Sequence, residues 1–74
     1  MKFTISQLVV GDKYLIGPNH GINNKSVIGV FQGEVLGGIA VSFKVKPAPG
    51  IALYKGGIVF SKDSKLLFEK VASY

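Results

Sequence analysis

One histidine, four carboxylates, nine lysines and three tyrosines are the only titratable side chains in this 74-residue chain. His20 lies in the segment GPNHGINNKS, residues 17 to 26, among Asn19, Asn23, Asn24 and Lys25. An imidazole titrates near neutrality without special help, so the segment is a candidate contact for an anionic ligand, with backbone N–H groups of Gly17 to Gly21 as further donors. It lacks the lysine and spacing of a nucleotide-binding P-loop. No second histidine and no cysteine accompanies His20, so no metal site and no cofactor is expected.

The carboxylates are spaced too widely to suggest a catalytic pair, which needs two of them in one dry cleft. Asp12 and Asp63 fall in predicted turns, where a carboxylate caps backbone N–H groups. Glu34 and Glu69 fall on predicted strands beside lysines and read as solvated cross-strand partners. No catalytic residue is assigned, and the expectation is a protein that is not an enzyme.

The basic residues are all lysines; arginine and tryptophan are absent, and the formal net charge is +5. Residues 41 to 74 hold six lysines against Asp63 and Glu69, a net +4. Such a balance attracts anionic partners. It lacks the forked guanidinium that reads guanine edges, which disfavours sequence-specific duplex recognition. Lys44, Lys46 and Lys55, with Lys62 and Lys65, form a candidate basic face on which Tyr54 would supply a stacking ring. The competing reading is that these lysines guard exposed strand edges against pairing with other chains.

These residues need a scaffold, and the stretch VIGVFQGEVLGGIAVSFKVK (27 to 46) supplies the clearest sign of one. Val41, Phe43 and Val45 alternate with Ser42, Lys44 and Lys46, the period of a strand with one buried face. A second extended run, Val27 to Leu36, precedes it across Gly37-Gly38. A two-residue turn there would set Val41 against Glu34 and Phe43 against Gln32, mixing apolar with polar. A three-residue Gly37–Ile39 loop sets Val41 against Val35, Phe43 against Gly33 and Val45 against Phe31. Because a one-residue slip exchanges the faces, burial favours the three-residue loop. Val27, Gly29, Phe31, Gly33 and Val35 then share the inner face, and Glu34 sits diagonal to Lys44.

Elsewhere, Phe3–Ile5 and Lys13–Ile16 read as strands around a helical turn near residues 6 to 9, capped by Ser6. Lys46-Pro47-Ala48-Pro49-Gly50 ends a strand, since proline cannot donate to a ladder. Ile51–Tyr54, Ile58–Phe60 and Leu66–Val71 are further strands, with a turn over Ser61–Lys65. The five phenylalanines sit beside apolar residues and read as core. Tyr14, Tyr54 and Tyr74 carry a polar tip and read as surface rings.

The expected fold is all-β: one domain, residues 1–74, a small barrel of five to seven short antiparallel strands. The run of apolar residue, turn, Gly11-Asp12-Lys13 and strand resembles the opening of SH3-like barrels, with an OB-like barrel as the alternative. No run of residues is long and apolar enough for a membrane helix. The opening MKFTISQLVVGD is interrupted by Ser6 and Gln7 before a signal-peptide core develops, so the expected location is the cytoplasm, with no membrane partner.

High apolar content (47%) and ten glycines in so short a chain suggest a tightly packed barrel or a sticky oligomer face. The leading expectation is a non-enzymatic protein-interaction module, a small oligomer or an inhibitor-type protein docking on a larger partner. Small lone domains of this size occur among phage and mobile-element proteins. The alternatives are a non-specific nucleic-acid binder using the lysine face, and a binder of a small anionic ligand or nucleotide using residues 17 to 26.

Overall fold

The computed structural model describes residues 2–17, 20, 26–46 and 57–71. They form six antiparallel strands: β1 (Lys2–Phe3), β2 (Lys13–Ile16), β3 (Val27–Val35), β4 (Ala40–Lys44), β5 (Gly57–Ser61) and β6 (Phe68–Lys70). The hydrogen-bonded order is β1-β6-β2-β3-β4-β5. Helical conformation among the described residues is confined to short 3-10 turns, at Ile5–Gln7 and Leu36–Gly38 among them. The all-β expectation holds. The ladder does not close among these residues, because β1 and β5 end the order.

The sheet is nevertheless strongly curled. β5 and β6 stand four places apart in the order, which in a flat sheet is roughly 19 Å. Yet the Phe60 and Phe68 rings, one from each strand, have centroids 5.4 Å apart. Phe43 on β4 lies at the centre, touching Phe31, Phe60, Phe68 and Tyr14 with centroids 5.0 to 6.1 Å apart. Around this aromatic cluster pack Ile5, Ile16, Val41, Val45 and Ile58. Gly29 admits the close approach: a Cβ there would lie 2.6 Å from Ile16 Cδ1 and 3.0 Å from Phe43 Cβ.

The inner face reads as the alternation implies over most of the hairpin. Gly29, Phe31, Val41, Phe43 and Val45 are buried, while Lys44 and Lys46 are exposed. The register differs from the expected one. Val35 pairs with Ala40, Glu34 with Val41 and Gly33 with Ser42; the pairing then shifts, so that Phe31 meets Phe43 and Val30 meets Lys44. The hairpin thus keeps the pairing of Val41 with Glu34 that the burial argument rejected. A β-bulge between Phe31 and Gly33 then resets the register. Gly33, at φ +94°, takes the left-handed backbone that a side chain disfavours. The conflict between polar and apolar partners is confined to the sheet rim, where Glu34 reaches water.

The first turn also departs from expectation. It spans Ile5–Gln7, with Thr4 as the residue before it. Gln7 Oε1 accepts from the Thr4 N–H at 2.9 Å and from its hydroxyl at 3.2 Å. This back-bonding removes Thr4 and Ile5 from the first strand, yet Ile5 still buries its side chain. Tyr14, expected at the surface, is only 1% exposed; its hydroxyl leaves the core by accepting the Val9 N–H at 3.0 Å. The strand expected at Ile51–Tyr54 lies outside the described residues.

Candidate functional site

His20 is half-buried and tied to the fold through both ring nitrogens. Its Nδ1 accepts the Gly17 N–H at 3.0 Å, and its own N–H donates to the Gly17 carbonyl at 2.9 Å. Nε2 lies 2.8 Å from the Leu67 carbonyl. A carbonyl only accepts, so Nε2 carries the proton and Nδ1 is the acceptor. Both ring nitrogens are engaged, and the ring packs on the seam between β5 and β6, against Phe68 and Phe60. A shallow hollow of about 100 Å³ beside it is lined by Lys2, Leu15, Gly17, Ser26, Leu67 and Glu69 as well as His20. Asn19, Asn23, Asn24 and Lys25, expected to act with His20, lie outside the described residues.

The lysine face is described in part. Lys13 and Lys44 both stand opposite Val30, from β2 and β4, so the outer sheet face carries a Lys13–Val30–Lys44 row. Lys46 continues it as an exposed residue. Tyr54 and Lys55 lie outside the described residues. Among the described residues the aromatic rings all belong to the core or pack against it, so none stacks on this row.

The carboxylates divide between ion pairs and solvent. Asp12 Oδ2 lies 3.2 Å from Lys70 Nζ. Glu34 pairs with Lys62, which replaces the diagonal Glu34–Lys44 pair expected from the sequence. Glu69 is exposed, opposite Lys2 and Leu15. Among the described residues no group of three histidines, cysteines or carboxylates is close enough to hold a metal ion.

A larger concavity lies elsewhere, between the first 3-10 turn and the β3–β4 hairpin. It is a cleft of about 410 Å³ walled by Ile5, Leu8, Val10, Phe31 and Val41, with Glu34 and Lys62 at its margin. The apolar surface extends beyond it. Val9 and Val10 are more than half exposed, as are Leu36 and Ile39 at the hairpin tip, Ile39 at 71%. The Ile39 carbonyl accepts the Lys62 N–H at 3.0 Å, which ties the tip to the cleft margin.

Two local signals in the sequence mark this surface. One is Leu36-Gly37-Gly38-Ile39, where apolar residues flank a hairpin turn that ordinarily carries polar ones. The other is Val9-Val10 immediately before Gly11, apolar residues placed in a turn. Leu36 is the only described residue other than glycine at positive φ, +53°. A left-handed leucine costs roughly 1–2 kcal/mol, and it stands half in water.

Comparison of the chain with protein families, with curated proteins and with solved structures gave no match.

Proposed function

We propose that the domain is a non-enzymatic interaction module that docks on a protein through the apolar cleft and the hairpin tip beside it. One observation carries this reading: a largely apolar cleft lined by Leu8, Val10, Phe31 and Val41, with Val10 more than half exposed, an ion pair among its lining residues, and exposed Leu36 and Ile39 at the end of the hairpin that supplies Phe31 and Val41. Contiguous apolar surface on a small domain marks an interaction site far better than scattered exposed residues do. The strained Leu36 supports it, since backbone strain is tolerated where another role repays it. No catalytic group is assigned: Asp12 and Glu34 are ion-paired, and both His20 nitrogens are bonded within the fold.

We read the curled sheet as SH3-like. β2, β3, β4 and β5 are consecutive neighbours in a meander, and β6 returns beside β2. That order favours an SH3-like over an OB-like barrel, whose strands follow a Greek key.

Affinity capture from the host, run in parallel with wild type, Val10→Asp and Lys44→Ala, tests the docking reading. A partner held by wild type and Lys44→Ala but lost with Val10→Asp is the expected result. Identical captured proteins for all three, with the same mass in solution, would overturn it.

A further inference from the structure

We propose that the partner seated in this cleft is a second copy of the chain, in a two-fold arrangement that inserts the hairpin tip of each copy into the cleft of the other. The inference rests on the docking reading above and names the occupant.

Three features select a second copy. The first is shape. An exposed apolar hairpin tip, Leu36 and Ile39, is tied through the Ile39 carbonyl to Lys62 of a concave apolar cleft walled by Leu8, Val10, Phe31 and Val41. A two-fold interface requires one patch to complement itself, and a knob beside a hollow does so when the axis passes between them.

The second is the position of charge. Glu34 and Lys62 line the cleft on the side of the tip and are about half exposed. An axis near this pair brings Glu34 of each copy within reach of Lys62 of the other, so the intramolecular pair can be exchanged for two intermolecular ones.

The third is repulsion. Two copies, each carrying +5, repel over most of their surface. Among the described residues the charges lining the cleft are one glutamate and one lysine, and Asp12 offsets Lys70. The row Lys13–Lys44 lies on the outer face of the sheet. The cleft therefore lets like copies approach with little electrostatic cost.

The experiment is sedimentation and light scattering across a wide dilution series at physiological salt, with circular dichroism to verify folding. Wild type should rise from 7.9 kDa toward twice that mass with concentration, while Ile39→Asp stays at the lower value. Charge exchange gives a second arm independent of Ile39. Glu34→Lys and Lys62→Glu, each alone, should weaken association at least about tenfold, since each juxtaposes like charges across the axis. An equimolar mixture of the two, one uniformly isotope-labelled, should restore association and yield chiefly the mixed dimer in native mass spectrometry. Inside each variant the 34–62 pair has like charge, so recovery on mixing can come only from contacts between copies.

Wild type that remains a monomer throughout, or a mixture no better than its components, overturns self-association. If Val10→Asp still abolishes capture of a host protein in that event, the docking reading stands and only the occupant is wrong. If Val10→Asp changes neither capture nor mass, both fall.

Discussion

The imidazole of His20 lies flat on the ring of Phe68, with centroids 4.5 Å apart and planes 8° from parallel, and its edge meets Phe60 at 5.9 Å. β5 and β6 share no ladder among the described residues. Their aromatic side chains meet instead, and His20 covers that seam while bonding to the Leu67 carbonyl just before β6. The lone histidine thus does for the seam what backbone pairing does elsewhere in the sheet.

His20→Ala should therefore destabilise the fold. It removes the acceptor of the Gly17 N–H, the donor to Leu67 and an aromatic stack, each worth roughly 0.5–1.5 kcal/mol. A net loss of about 1–3 kcal/mol in urea unfolding is expected. Unchanged stability, together with loss of a thermal shift that wild type shows with an anionic ligand, would instead favour the ligand-binding reading of residues 17 to 26.

Phe43→Ala should cost about 3–5 kcal/mol, the range for deleting a buried ring, because Phe43 is fully buried amid four aromatic neighbours. Lys44→Ala, one residue along on the exposed face, should stay within about 0.5 kcal/mol. Comparable small effects at both positions in chemical denaturation would mean that the faces of β4 are misassigned.

The contrast between Phe43 and Lys44 also shows what could be read from the sequence. Alternation placed Phe31, Val41, Phe43 and Val45 inside, because a two-residue period is a local property of the strand. The register was not legible, since it depends on a bulge at Gln32-Gly33 whose benefit appears only when β3 pairs with β4 while Phe31 also bonds to Gly11 and Asp12. Tyr14 was misread for a related reason. Its polar tip suggests water, but the Val9 N–H supplies the partner from within the fold. The cleft was hidden because its walls come from residues 5 to 10, 31 to 34 and 41, brought together only by the curl of the sheet.

Oligonucleotides should bind weakly and without preference. The described basic row offers Lys13, Lys44 and Lys46, and the rings of the described residues are turned to the core. Three phosphate contacts on a single strand give a slope of about −2 in a plot of log affinity against log salt. Fluorescence anisotropy with labelled single strands checks this. Tight binding at physiological salt, lost with Lys44→Ala, would make the lysine face the principal site.

Leu36→Asn separates folding from docking. Leu36 occupies the left-handed region at φ +53°, where asparagine is far better tolerated, and its side chain is 52% exposed. Relief of the strain should raise unfolding stability by up to about 1 kcal/mol, since little buried contact is lost. The same change removes half of the apolar tip, so association measured by light scattering should weaken. Opposite signs in the two assays would mark Leu36 as a residue kept for binding at the expense of stability. A drop in stability with association intact would mean that the leucine serves the fold, and the hairpin tip would lose its place in the interface.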